Sequence, residues 1–178
     1  MSQLDRQRGD TKVRVAQAGD AARIAEIHVH AWQMAYHGIL PQSVLDNLSL
    51  QKRQAFWEKR LASKDATVLV AVSSAELVGW LVYGESRDDD AASGVLEIYG
   101  LYVDPRAWRS GVGQRLWLEV RQRLASPTIH EVTLWVLVAN AQARAFYESM
   151  GFRPEPDRVK QFERDGAVLE EIRYRIRF

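Results

Sequence analysis

VLEIYGLYVDPRAWRSGVG, residues 95–113, runs from a β-branched, apolar strand straight into a turn bracketed by glycines. Val95–Val103 alternates as a strand does, and Asp104-Pro105 ends it. Gly100 inside the strand signals a bulge or the close approach of another backbone. Gly111 and Gly113 let the chain turn tightly and bring amide N–H groups up to a ligand. The helix read over Gly111–Ala125, with Leu116, Val120 and Leu124 on one stripe, adds the positive end of its dipole. Strand, glycine turn and helix start together make a cradle for phosphate or pyrophosphate, with Arg109 adding a charge. A glycine pair alone is more often the mark of an ordinary tight turn followed by a helix start. A dinucleotide fingerprint needs a third glycine where Leu116 stands, and a nucleoside triphosphate loop needs a terminal Gly-Lys-Ser/Thr; both are missing.

Toward the amino terminus, Thr67–Val72 (TVLVAV) and Leu77–Tyr83 (LVGWLVY) flank Ser73-Ser74-Ala75-Glu76 as a hairpin. Lys12–Ala16 reads as a short strand. Gly19-Asp20 offers a turn and a helix cap, and Ile24, Ile27, His28, Ala31 and Ala35 repeat at helical spacing as far as Gly38. Pro41 suits the start of a second helix through about Asn47, and Ser49 caps a third carrying Ala55, Phe56 and Leu61. Ser86–Gly94 (SRDDDAASG) reads as a solvated acidic connection. Downstream, Glu131–Val138 (EVTLWVLV) is apolar enough for a central strand buried on both faces. Asn140 caps a helix carrying Ala143, Phe146, Tyr147 and Met150, which Gly151 ends. Val159–Phe162 and Val168–Ile176 flank Asp165-Gly166, a hairpin signal.

Composition excludes several classes. The 178 residues are 47% hydrophobic and 26% charged, which is globular rather than disordered. Net charge is +1, from 24 basic and 23 acidic side chains, so no strong field advertises nucleic acid or an anionic membrane. There is no cysteine, which removes disulfides, thiolate metal sites and a cysteine nucleophile. Four scattered histidines lack the spacing of a metal site, so no metal is expected. No run of residues is apolar and long enough to span a bilayer, and the polar start (MSQLDRQRGD, residues 1–10) reads as a flexible leader rather than a signal. The expected compartment is the cytoplasm.

A second constellation follows Gly113 at Asn140-Ala-Gln-Ala-Arg-Ala-Phe146-Tyr147-Glu148-Ser-Met-Gly151-Phe152. With Arg109–Gly113 behind a strand ending Leu101-Tyr102-Val103, and with matching order and spacing, the chain resembles the GCN5-related N-acetyltransferase (GNAT) superfamily from about Lys12 onward. The resemblance implies an α/β (α+β) fold with a mixed, mostly antiparallel sheet of about seven strands. One parallel pair of strands splays apart, and helices flank the sheet. It also implies a single N-acetyltransferase domain over residues 11–178.

In that superfamily the pantetheine arm of acetyl-CoA fills the splay. Carried over, the backbone of Leu101, Tyr102 and Val103 pairs with the pantetheine amides, because strand N–H and C=O groups left open demand partners. The pyrophosphate then rests on the amides of Arg109, Ser110, Gly111, Val112, Gly113 and Gln114. Trp108 stands where the family usually has Gln or Arg, which bears on the phosphate and adenine contacts. Asn140 resembles the asparagine beside the arm, besides capping its helix. Tyr147 matches the phenol that gives a proton to the departing thiolate. An amide N–H near Leu101 holds the oxyanion. Glu97 resembles a glutamate that acts as general base through a water; alternation puts Glu97, Tyr99 and Leu101 on one face, and a solvent-facing glutamate is the alternative.

Trp32, Tyr36 and Tyr99 are the candidate walls of the acceptor site, whereas Trp80 reads as core. His28 and His30 read as packed or surface residues, with His37 alone near a pocket. Asp88-Asp89-Asp90 favours a cationic amine if it faces the site. The implied reaction is transfer of the acetyl group of acetyl-CoA to an amine-bearing small molecule or peptide. The alternative is a non-catalytic acyl-CoA-binding module of the same fold. A homodimer through the carboxy-terminal hairpin is a further expectation of the family.

Overall fold

A computed structural model describes residues 11–63, 65–124 and 128–178. The leader at residues 1–10 and the expected helix end at Ala125 lie outside them. The β-branched runs become strands β1 (Lys12–Val15), β2 (Thr67–Ser73), β3 (Glu76–Glu85), β4 (Val95–Val103), β5 (Glu131–Leu137), β6 (Arg153–Arg164) and β7 (Ala167–Arg177). The 3.6-residue repeats become helices α1 (Ala21–Ala35), α2 (Gln42–Asp46), α3 (Leu50–Ala62), α4 (Val112–Arg123) and α5 (Ala141–Ser149). The strands form one sheet in the order β1-β2-β3-β4-β5-β7-β6, antiparallel throughout except for β4 against β5. The terminal hairpin is longer than its apolar core suggested, and slips register between Pro154 and Val159.

Both faces of the sheet are covered. On one, Leu69, Leu81, Val132 and Tyr174 pack with Leu116, Val120 and Tyr147 of α4 and α5. On the other, Val70, Val82 and Trp80 pack with Ile24 and Ile27 of α1 and Trp57 of α3. Burying each such aliphatic side chain contributes about 1.5–3 kcal/mol relative to exposure, so two-sided burial, more than helix propensity, holds these short elements.

The parallel ladder joins Val95–Ile98 to Glu131–Leu134 and stops there, although β4 continues to Val103 and β5 to Leu137. A bulge supplies the cause. Val82 pairs with Gly100 and Tyr83 with Ile98, which leaves Tyr99 as an extra residue on β4. A bulge bends its strand and sharpens the local twist. Gly100 belongs there because a Cβ would come 3.3 Å from the Trp80 ring. The extra residue also breaks the alternation expected for Glu97, Tyr99 and Leu101. Leu101 packs with Ile98 and Val103 beneath α4, whereas Tyr99 packs with Tyr102 on the α1 side.

Two local expectations are corrected. Asp20 does not cap α1 with its side chain; the carboxylate accepts instead from the Gln17 amide at 2.7 Å and from the Arg14 guanidinium. The acidic loop after β3 is not merely solvated. Asp88 accepts from Trp135 Nε1 at 3.0 Å, Lys160 Nζ at 3.0 Å and Arg173 Nη1 at 3.1 Å. Arg173 is buried and also bonds Asp90 and Glu155. A guanidinium taken out of water needs such anionic partners, and the loop is where it finds them.

Candidate active site

Where β4 and β5 part, a cleft of about 620 Å³ passes through the sheet from one face to the other. Ile98–Val103 and Trp135–Leu137 form its sides, so strand backbone that the ladder leaves free runs along it. One mouth is the turn before α4. The turn is preformed by its own bonds: Trp108 Nε1 donates to the Val103 carbonyl at 2.8 Å, and Ser110 Oγ donates to the Ala107 carbonyl at 2.6 Å. Trp108, the departure from the family pattern, thus ties the end of β4 to the loop. Arg109 (φ 61°) and Gly111 (φ 89°) both take left-handed conformations. The first bond of α4 runs from the Arg115 amide to the Gly111 carbonyl at 3.0 Å, leaving the amides of Val112, Gly113 and Gln114 without a helix acceptor.

Gly111→Ala is expected to lower folding stability by about 1–2 kcal/mol, since a Cβ is strained at that φ. Urea denaturation checks it, and an unchanged midpoint would show that the turn tolerates other geometries. Gly113 has a different reason to be glycine from the ligand approach expected of it. A Cβ there would lie 3.1 Å from Phe146 Cζ, so the missing side chain seats α5 against α4.

Of the residues singled out in the sequence, Leu101, Tyr102, Val103, Arg109, Gly111, Val112, Gly113, Gln114, Asn140, Tyr147, Trp32, Tyr36 and Tyr99 line the cleft; Ser110 does not. Asn140 uses its side-chain oxygen to cap α5, accepting from the Ala143 amide at 3.0 Å. Tyr147 packs against Phe146 and Phe152 and is 9% exposed, and its hydroxyl has no hydrogen-bond partner among the described residues. Burial raises its pKa, with the nearby Tyr102 phenol adding to the effect, so it holds its proton at neutral pH. Across the gap the Tyr36 and Tyr102 hydroxyls bond each other at 2.8 Å.

Glu97 is a correction. It is buried, lies outside the cleft lining, and is held by the Arg87 backbone amide at 3.0 Å and by the Arg87 guanidinium. Arg87 also stacks 4.0 Å over the Tyr99 ring, so this carboxylate is engaged rather than poised as a base. Asp88 is engaged likewise and offers nothing to an amine. His37 is exposed and does not line the cleft. His28 is buried, accepts from Trp57 Nε1 at 3.2 Å and stacks on Tyr102; burial first, then the Arg53 charge, lower its pKa to about 3.

The sequence reading missed Glu171. It comes from β7, lines the cleft, and makes no hydrogen bond or ion pair among the described residues. Burial raises its pKa. Its only signal was parity along β7, and the adjacent Glu170 blurred that.

A more open depression of about 810 Å³ lies near β1, and most of its charges are paired: Arg14 to Asp20 at 2.7 Å, Arg23 to Glu26 at 2.8 Å, and Arg23 and Arg106 to Asp104 at 2.6 and 2.8 Å. Among the described residues no cluster of side chains could hold a metal ion, and no helix is long and apolar enough to cross a membrane.

A mixed sheet that opens at its parallel pair, with bare helix-start amides at one mouth and aromatic walls at the other, defines an acyltransferase fold. The model of the acetyltransferase (GNAT) family matches residues 22–152, and the chain belongs to that family. An uncharacterized N-acetyltransferase of Bacillus subtilis (strain 168), YuaI, is 26% identical over 160 residues, spanning 90% of this chain and 89% of its own. Among solved structures, a ribosomal-protein-alanine N-acetyltransferase from Brucella melitensis is similar with a TM-score of 0.72 at 21% identity, covering 94% of this chain and 99% of its own. The PaiA N-acetyltransferase of Thermoplasma acidophilum, solved with coenzyme A, is similar with a TM-score of 0.68 at 18% identity, covering 95% and 99%.

Proposed function

We propose that this chain transfers the acetyl group of acetyl-CoA directly to a primary amine of a small molecule or peptide, with Tyr147 as general acid. One observation carries the reading. The β4–β5 ladder stops at Ile98 and Leu134 while both strands continue, so unpaired backbone leads down to the free amides of Val112–Gln114. A pantetheine arm supplies amides for the first, and its pyrophosphate supplies charge for the second. The relative solved with coenzyme A supports the choice of donor.

The neutral amine attacks the thioester carbonyl, forming a C–N bond and pushing a π pair onto oxygen. A backbone amide near Leu101 holds that oxyanion. The C–S bond then breaks toward Tyr147, whose phenol passes a proton to the departing sulfur and is restored by the proton that the nitrogen sheds as the amide forms. Isothermal titration with acetyl-CoA, followed by thiol-release assays against an amine panel, tests the proposal. Binding with amine-dependent thiol release supports it. Binding without release of thiol to any amine would favour a non-catalytic acyl-CoA-binding module, and absence of binding would remove the reading altogether.

A further inference from the structure

On the α1 side of the sheet the cleft is walled by Trp32, Tyr36, Tyr99 and Trp135. Such a wall suits the apolar body of an acceptor, and says nothing by itself of its charge. The charge pattern does. The acidic groups nearby are spoken for: Glu97 by Arg87, and Asp88, Asp90 and Glu155 by Arg173. None of these lines the cleft; Glu171 does, and it makes no hydrogen bond or ion pair among the described residues, although Lys160 stands opposite it in the β6–β7 register and Lys160 and Arg87 are the cations whose charge it feels. Its charge is felt by the Tyr36 and Tyr102 phenols, and Tyr36 in turn feels Tyr147. Glu171 and the proposed acid therefore act on the same phenol pair.

Two cations converge on the Trp32 ring, Arg164 within the cleft lining and Arg53 outside it. Arg53 of α3 lies 5.6 Å from the Trp32 ring centroid, and Arg164 at the end of β6 lies 5.4 Å from it. Neither has a carboxylate within ion-pairing distance among the described residues. After burial, the Arg164 charge is what opposes the Arg53 cation most. Two guanidiniums crowding one ring without a counter-ion make a place for an anion, which each can grip through forked N–H donors.

We propose that the acceptor is a zwitterion of the amino-acid type, its reacting amine held by Glu171 and its carboxylate or other anionic group held by Arg53 and Arg164 across the face of Trp32. The proposal rests on the acetyl-transfer reading above. Protons balance as follows. The amine arrives as an ammonium and gives one proton to Glu171, which frees its lone pair for attack. The second proton, shed as the amide forms, ends on the coenzyme sulfur through Tyr147. An amine with no anionic group leaves both arginines unpaired.

The test is a thiol-release assay at saturating acetyl-CoA with matched acceptor pairs. Amino acids and aminoalkylphosphonates are set against the corresponding amides and plain alkylamines. The anion-bearing member is expected to show kcat/KM about tenfold higher or more, the weight of one charge-assisted hydrogen bond. Arg53→Gln and Arg164→Gln are each expected to raise its KM about tenfold with little change in kcat or in coenzyme A affinity. Glu171→Gln is expected to lower kcat and to remove the acid limb of its pH profile. Arg53→Lys, which keeps the charge, checks that the loss is not one of folding. Amides or alkylamines that react as well as their anionic partners would overturn the proposal. So would unchanged KM values in both arginine variants, or no turnover of any anion-bearing acceptor by protein that binds acetyl-CoA. Failure to bind coenzyme at all would take down the acetyl-transfer reading with it.

Discussion

Tyr147→Phe is expected to bind acetyl-CoA as well as the parent and to turn it over about 10²–10⁴-fold more slowly, a rise in barrier of about 3–5 kcal/mol. The ring stays and only the hydroxyl goes. Its contacts with Phe146 and Phe152, at centroid distances of 5.3 and 5.8 Å, are therefore kept. The hydroxyl bonds nothing among the described residues, so deleting it leaves no orphaned partner and folding stability should move little. A thiolate departing without a donor is the one thing that worsens. Single-turnover measurement of thiol release isolates that step from product departure. Equal rates for the two proteins would strip Tyr147 of the role and leave it a packing residue.

The second large effect is on stability against pH. His28 is 7% exposed and boxed by Trp32, Trp57, Trp80 and Tyr102. Its imidazole pKa falls from 6.5 to about 3, by burial and by the Arg53 charge. Between those values the unfolded chain binds a proton that the folded chain refuses. Stability is therefore full above about pH 6.5 and is lost as pH falls toward 3, by roughly 4–5 kcal/mol in all and about 2 kcal/mol by pH 5. The carboxyls of Asp20, Asp88 and Asp104, held low by their arginine and lysine partners, act in the same direction but only below their ordinary value of 3.8. Between pH 6.5 and 4.5 the His28 effect is opposed by Glu171, whose carboxyl pKa is raised above 4.5 by burial, so the His28 share is read from the comparison with a variant. Urea denaturation at pH 7 and pH 5 should show the difference in the parent and a flatter profile in His28→Gln. Parallel profiles in the two proteins would mean the imidazole is charged when buried.

Local patterns carried most of the fold. Alternation marked the strands, and Ser49, Asn140 and Gly111 stood at the helix starts they serve, the first two as side-chain caps. What local patterns could not carry was anything decided by a distant partner. The Asp88 loop reads as solvated until Arg173, 85 residues on, is brought against it. Glu97 reads as a base until Arg87, ten positions back, folds over it. The extra residue at Tyr99 obeys no rule of its own segment, because a bulge exists only relative to the strand beside it. Glu171 needed the whole sheet to be told apart from Glu170. The donor half of the cleft, built from one turn and one helix start, was accessible to sequence reasoning. On the α1 side only the aromatic walls Trp32, Tyr36 and Tyr99 were legible; Arg164 and Glu171, which come from β6 and β7, were not.

The unpaired residue in β4 has one more implication, for redesign. Leu101 and Tyr102, as neighbours on a strand, face opposite sides of the same gap, and the extra residue at Tyr99 decides which of them faces which. Trimming a single codon there would swap those loyalties, turning the phenol toward α4 and the leucine toward α1. Length, rather than residue identity, is what keeps each of these side chains on its own face of the sheet.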